Sequence, residues 1–423
     1  MRALMPCLLA LALAAPAAAN PPRQTGKTAR LFDDAAPLPL IQLIVDEADW
    51  LWLEAHATDE DYVPAEVIYD GDRYAGAAVR YKGSFGSLYS CFDEAGQRLC
   101  PKLSLKVSFN EYDRGGRFEG VRKLVLNSCG RDPGCIHERL SYRMFAAAGV
   151  PASRAVHALV SVNGGPASYY TLVENVDKEW IQDRYDDDDG NLYKEVWPQH
   201  LRDAPYRAAL RAGEGDVSRM VAFATLLAGL GPGDDFAALV GPWLDLAVMA
   251  RYLAVDQIIN NWDGVWKFYC AGQRCGNHNF FIYDDPATGR LVVAPWDLDR
   301  TFERPNRDLA RSWWDDGPDA CKVDMSTAIV GVRAPQCDAL LRGLMRAGWD
   351  DYRAALAVLT DPAAGPLSEA RVLALVDRYR AMLVDQVGVD PLGPGPDAWR
   401  RASAQLRQII RAQYREVERF LAE

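Results

Sequence analysis

Histidine is scarce in this chain of 423 residues, five in all, and no C-x2-C pair occurs among its nine cysteines. A structural zinc site, which needs Cys or His ligands at short fixed spacing, is therefore not expected. Positive charge is in deficit. Lys and Arg number 47 against 58 Asp and Glu, giving a formal net charge of -11 and a pI near 5.1. Nucleic acid and anionic lipid both select basic surfaces, so neither is an expected partner. Beyond residue 19 no apolar run reaches the roughly 18 residues that a membrane-spanning helix needs. Internal repeats and low-complexity tracts are absent too, which excludes solenoid, collagen-like and disordered classes.

What remains is an ordinary globular composition, 49% hydrophobic and 25% charged, long enough for one large domain or two lobes. Residues 1–19 read as a signal peptide: Met1-Arg2 is the charged start, LLALALAAP the apolar core, and Ala17-Ala18-Ala19 a small-residue cleavage site. The mature protein is then exported, periplasmic or extracellular, with residues 20–37 as a flexible lead. Cys7 leaves with the signal. The other cysteines fall into local pairs, Cys91 with Cys100, Cys129 with Cys135, Cys270 with Cys275 and Cys321 with Cys337, as disulfides in an exported chain do.

Taken in order, strands are expected at 38–45, at 65–82 around the turn Asp70-Gly71-Asp72, at 102–109, 122–127, 155–162 and 168–173, and short helices at 47–56 and around Glu138. The Gly/Ser loop 83–87 is either a plain turn or a cradle of N–H groups for phosphate. In the strand 102–109, Leu103, Leu105, Val107 and Phe109 share one face, and Lys102, Ser104, Lys106 and Ser108 the other. That polar face is either solvated or the roof of an anion pocket. After about residue 196 helices dominate, at 216–228, 236–240, 244–260, 338–347, 351–359, 368–387 and 397–421. The fold class expected is α+β, with a β-rich lobe over 38–178 and a helical lobe over 179–423. Two-lobed nucleotide-dependent phosphotransferases are laid out in this way.

A hairpin of 280–283 and 291–294 interrupts the helical half. Its turn, Asp284 to Gly289, brings the outer strand ends together, so Asn279 meets Asp297 and Asp299, and Asp263 enters from the end of the preceding helix. Converging side-chain oxygens suit Mg²⁺ held by few protein ligands plus phosphate. The same residue types also serve as caps and turn formers.

The blocks VRYKGSFGS (79–87), KLSLKVSF (102–109), KLVLNS (123–128), HERLSYRMFAAAGVPASR (137–154), YYTLVENVD (169–177), GNLYK (190–194), NNWDG (260–264) and HNFFIYDDPATGRLVVAPWDLDRTF (278–302) occur in one order. Together they resemble the spore-coat CotH family of secreted, atypical protein-kinase-like proteins. The resemblance implies a two-lobed protein-kinase-like fold, ATP and Mg²⁺ as cofactors, and Ser or Thr hydroxyls of envelope or secreted proteins as acceptors. It implies Asp263 as the catalytic carboxylate, Asn279 and Asp297 as metal ligands with Asp299 the rival of Asp297, and Lys106 on the α/β-phosphates with Glu138 as its ion-pair partner. Lys82 and Lys102 rival Lys106, and Glu174 lies in the segment resembling the hinge beneath adenine. An inactive structural or adhesive surface protein on the same frame is the alternative, and a sugar or lipid head group a further acceptor class. The Cys270–Cys275 loop lengthens the interval between Asp263 and Asn279, and it either projects outward or displaces Asn279.

Overall fold

Period-two alternation in the first half closes into a barrel. The computed structural model describes residues 21–23, 26–84, 87–272, 274–307, 309, 321–324 and 331–423, so the signal segment lies outside the described residues. Helix α1 (Lys27–Leu31) precedes strand β1 (Leu40–Ile44), helix α2 (Glu47–Ala55), and strands β2 (Val63–Tyr69), β3 (Asp72–Tyr81), β4 (Leu105–Ser108) and β5 (Lys123–Asn127). Helix α3 (His137–Ala147) then leads to β6 (Ala155–Val162) and β7 (Ser168–Glu174). The order around the barrel is β1-β2-β3-β4-β5-β7-β6, and a parallel pairing of β6 with β1 closes it. Leu103, Leu105, Val107 and Phe109 are at most 4% exposed and fill the interior, as their alternation requires.

The lead is tied to this barrel. Leu31 and Phe32 are buried, and Asp34 joins Arg139 of α3 (2.8 Å) to Arg378 and Tyr379 of the helix Glu369–Val387. The described part of the segment expected to be flexible is therefore packed, because two apolar side chains and a carboxylate find partners.

The second half begins with α4 (Lys178–Gln182), β8 (Leu192–Lys194), α5 (Asp203–Ala209), β9 (Leu210–Ala212), α6 (Ser218–Gly229), α7 (Phe236–Val240) and α8 (Leu246–Ile258). Strands β10 (Phe268–Ala271), β11 (Arg274–Gly276), β12 (Phe280–Asp285), β13 (Arg290–Pro295) and β14 (Gly331–Arg333) follow, and then α9 (Ala339–Ala347), α10 (Trp349–Thr360), α11 (Glu369–Val387) and α12 (Pro396–Ala422). The lobe is mainly helical, but the hairpin is not its sole interruption: β12 and β13 belong to a sheet ordered β13-β12-β8-β9, and β10 sits between β11 and β14. Short strands of three or four residues carry too little alternation to stand out in sequence. Helix α8 is the centre of this lobe, with every residue from Tyr252 to Ile258 buried. Among the described residues no helix is long and apolar enough to cross a membrane. The cysteine pairs Cys91–Cys100, Cys129–Cys135, Cys270–Cys275 and Cys321–Cys337 are all disulfide-bonded.

Where β7 leaves the barrel, Glu174 is held by Arg154 (2.6 Å) and Arg184 (2.7 Å), with the Arg184 side chain fully buried. Burial alone would raise its pKa, but Arg184 and Arg154 outweigh burial and hold it at about 2, against 4.5 when unfolded. A carboxylate with a depressed folded pKa contributes stability that is complete above its unfolded pKa and is lost as pH falls towards the folded one. Urea titrations should therefore show stability declining from about pH 4.5 towards 2, with Glu174→Ala costing roughly 3 kcal/mol or more at neutral pH because two arginines lose their counter-charge. A Glu174→Ala protein as stable as wild type would show that this cluster does not hold the two lobes' junction.

Candidate active site

The outer face of the barrel at β5 and β7 packs against the helical lobe, since Val125 of β5 and Val173 of β7 join the same apolar cluster as Tyr193 of β8 and the residues of α8. Polar side chains on that face therefore look into a cleft. Lys82, just past β3, donates from Nζ to Asn127 Oδ1 (2.6 Å), and Asn127 Nδ2 donates to both oxygens of Glu138 on α3 (2.8 and 2.9 Å). Burial, and then the neighbouring Asp297, raises the Glu138 pKa to about 8, against the pull of Asn127 and Lys82. The expected Lys106–Glu138 ion pair is not made, because Asn127 takes both carboxylate oxygens and its other end takes Lys82.

Helix α3 is fixed on both sides of Glu138. Asp132, inside the Cys129–Cys135 loop, accepts from the N–H groups of Ile136 (2.5 Å) and His137 (2.7 Å), satisfying donors that open the helix. On the next turns Ser141 hydrogen-bonds Thr301 (2.9 Å) and the Tyr142 hydroxyl accepts from the N–H of Asp297 (3.1 Å). Glu138 is thereby locked in place relative to Asp297 and Asp299, and all three line a cavity of about 250 Å³ with Lys82 and Asn127.

The hairpin does what its turn and alternation predict. Phe280 pairs with Pro295, and the Trp296 N–H donates to the Asn279 backbone carbonyl (2.9 Å), so Asn279 stands one residue from the level of Asp297. Asp297 adopts left-handed backbone geometry (φ 51°) and opens a short 3-10 turn, Leu298–Arg300, whose Leu298 is fully buried, leaving the two carboxylates on either side of an apolar anchor. Burial, then Asp297, then Glu138 push the Asp299 carboxyl well above its ordinary range.

Asp263 was expected at a helix end, yet α8 stops at Ile258. Asn260 turns left-handed (φ 47°), the usual way a helix terminates, and Asp263 lies in the loop beyond. That loop is braced from below. Asn261 donates from its N–H to the Asp256 carbonyl (3.0 Å) and from Nδ2 to the Asp256 carboxylate (2.8 Å). A Cβ on Gly264 would lie 2.3 Å from Asn261 Nδ2, so only glycine fits there. Asn279 Nδ2 then donates to the carbonyl (2.9 Å) and to Oδ2 (3.1 Å) of Asp263. Burial raises the Asp263 pKa, as does Asp297, while the Tyr269 hydroxyl and Arg300 act against the shift. The Cys270–Cys275 loop forms the β10–β11 hairpin, pairs with β14, and leaves the Asn279–Asp263 contact intact.

The remaining candidates are engaged otherwise, although Lys102 lines the same cavity. Lys102 is buried against Asp390 (3.2 Å) and the Tyr169 carbonyl (2.6 Å), so its charge is already spent on a tie between barrel and C-terminal helices. The Glu174 side chain is occupied by its two arginines, which leaves the backbone beyond β7 as what that segment can offer a ligand. Lys106 faces the cleft one row away from Lys82. Asn127 is the site residue that sequence reasoning missed; its signal was its place at the end of the strand leading into the Glu138 helix.

Asp297 raises the proton affinity of both Glu138 and Asp299, which have Lys82 as their opposing charge, so a divalent cation would supply the charge this end of the cleft is short of. Among the described residues no three His, Cys, Asp or Glu side chains form a complete metal cage. Such a cation would draw its further ligands from phosphate oxygens and water, which is how Mg²⁺ usually binds.

The inner spore coat protein H of Bacillus subtilis (strain 168) is 26% identical over 278 residues, covering 63% of this chain and 70% of that protein. Among solved structures, the proinflammatory kinase CtkA of Helicobacter pylori aligns with 9% identity and a TM-score of 0.30 over 76% of this chain and 93% of its own. The family described as CotH kinase protein matches residues 79–417, most of the barrel and nearly all of the helical lobe. This chain belongs to that family.

Proposed function

We propose that the protein is an exported, Mg²⁺- and ATP-dependent phosphotransferase that moves the γ-phosphate to Ser or Thr hydroxyls of envelope or secreted proteins. The observation that carries this reading is the meeting, across one cleft, of Lys82–Asn127–Glu138 from the barrel with Asp297 and Asp299 from the helical lobe. Asn279 and Asp263 stand in direct hydrogen-bond contact on the same side as those carboxylates. Phosphoryl transfer needs positioned charge and one oriented base rather than covalent chemistry. Bound Mg²⁺ would supply charge stabilisation on the phosphate oxygens. Asp297 would hold it with the Asn279 side-chain Oδ1, the atom left over once Nδ2 is committed to Asp263. Lys82, released from Asn127, would meet the phosphates, and Asp263 would accept the acceptor hydroxyl's proton.

This assigns the phosphate lysine to Lys82 in place of Lys106. With labelled ATP, Mg²⁺ and a Ser/Thr-rich acceptor, Lys82→Met should reduce incorporation by on the order of 10²-fold, the scale for losing one positioned charge at a phosphoryl group. Lys106→Met should reduce it far less. Equal losses would return Lys106 to the central role. Absence of both incorporation and an Mg-ATP thermal shift in wild type would support the structural or adhesive alternative.

A further inference from the structure

Asp256 has no part in the transfer just described, yet it is fully buried on α8, beneath the loop that presents Asp263. Asn261 Nδ2 donates to Asp256 Oδ1 (2.8 Å), and the Asn261 N–H donates to the Asp256 carbonyl (3.0 Å), so one oxygen of the carboxyl group is already joined to the amide. The other atom of each group, Asp256 Oδ2 and Asn261 Oδ1, is buried and makes no hydrogen bond. An ionised carboxylate and an amide oxygen can only accept, and two buried acceptors without a donor are costly. A single proton on Oδ2 answers both.

We propose that Asp256 is a positioning residue that works in its protonated form: Oδ2 donates to Asn261 Oδ1 and closes an acid–amide pair under the Asp263 loop. The proton's place stands without the phosphotransferase reading, whereas the service to Asp263 rests on it. The loop is shaped to this pair. Asn261 and Gly264 flank Trp262 and Asp263, and a Cβ on Gly264 would lie 2.3 Å from Asn261 Nδ2 and 3.2 Å from Asp256 Oδ1, so the chain on both sides of Asp263 lies against the pair. Asn277 Nδ2 holds the next turn of the chain through the Val265 carbonyl (3.0 Å). Ionising Asp256 would leave Asn261 Oδ1 without its donor and bury a charge beneath the loop.

Among the described residues the titratable groups that act on Asp256 are Tyr252 one turn back on α8, Tyr352 of α10, and Lys267 beyond the loop. Burial and then Asp256 itself keep both tyrosine hydroxyls protonated, so neither brings a charge. Burial also outweighs Asn261 and Lys267 and raises the Asp256 pKa to about 8, against 3.8 when unfolded. Because the folded chain keeps a proton that the unfolded chain releases, this group's contribution to stability declines as pH rises from 3.8 to about 8 and levels off beyond. Asp256→Asn retains both hydrogen bonds of the pair, with Nδ2 donating in place of the acid, and has nothing to titrate.

The test compares the mature chain with Asp256→Asn across pH. Melting temperatures should be close at about pH 4, diverge in favour of Asp256→Asn by about 5 °C or more as pH rises to about 8, and run parallel above it. Infrared spectra at mildly acid pH should show an acid carbonyl band in wild type that Asp256→Asn lacks. Glu138 and Asp299 also favour their protonated forms, but both proteins carry them, so they cancel in the difference. An Asp256→Asn protein that fails to fold, melts lower than wild type at neutral pH, or loses no acid band would show Asp256 to be ionised, held by Lys267 or a buried water, and would overturn the proposal. For the service to Asp263, phosphate incorporation by wild type should fall by on the order of tenfold from about pH 7.5 to about pH 9.5 as the pair opens, and far less in Asp256→Asn. Coincident pH profiles would overturn that service. Wild type without incorporation at any pH would count against the phosphotransferase reading, while melting and infrared spectra still decide whether the acid–amide pair exists.

Discussion

Asp263→Asn should lower phosphate incorporation by on the order of 10²-fold or more, the usual contribution of a positioned acid–base group, while melting temperature and Mg-nucleotide affinity barely move. The side chain keeps its shape, and its amide oxygen can still accept from Asn279 Nδ2, so the loop stays braced by Asn261 and Gly264. What is lost is the base and its negative charge. The bland alternative for such an aspartate is a helix cap, where Asn serves almost as well as Asp. The structure weakens that alternative, because α8 ends at Ile258 and the partners of the Asp263 carboxylate are the side chains of Asn279 and Tyr269. The measurement is a pair: incorporation into a Ser/Thr-rich acceptor, and thermal shift with Mg-ATP. Equal incorporation by both proteins would remove Asp263 from the mechanism.

How much of this site was legible in the sequence depended on the range of the contact involved. The hairpin was legible because its register follows from one turn and a period of two, both local, so the approach of Asn279 to Asp297 needed no tertiary knowledge. The interior face of β4 was legible for the same reason. The partner of Glu138 was not, since it depends on β3, β4 and β5 lying side by side and on an amide standing between two charges. Three lysines of similar local pattern, Lys82, Lys102 and Lys106, then met three fates: a relay, a buried tie to Asp390, and a half-buried place on the outer face of β4 with no partner for its ammonium group among the described residues. Barrel closure was equally out of reach, because β1 and β6 pair Leu40 with Leu159 and no local rule joins residues so far apart in the chain. The end of α8 was overrun because the apolar pattern continues through Trp262, and the stop signal was a single left-handed asparagine.

The second large effect is expected at the metal. Asp297→Ala should abolish Mg²⁺-dependent nucleotide binding in calorimetry and leave the fold intact, since the carboxylate is half-buried at a cavity rim and the turn is anchored by Leu298, not by the side chain it replaces. The Tyr142 contact survives the substitution because it uses the Asp297 N–H. Asp299 differs. Burial and the charges of Asp297 and Glu138 all oppose its ionisation, so it gains most from a nearby cation and contributes least before one arrives. Removing Asp297 also relieves Glu138 and Asp299 of a like charge, so the variant should melt no lower than wild type without metal. Asp299→Ala is then expected to weaken Mg-ATP binding without eliminating it. If Asp297→Ala binds Mg-ATP as tightly as wild type while Asp299→Ala does not, the cation's ligand is Asp299, and the turn presents its second carboxylate to the phosphates in place of its first.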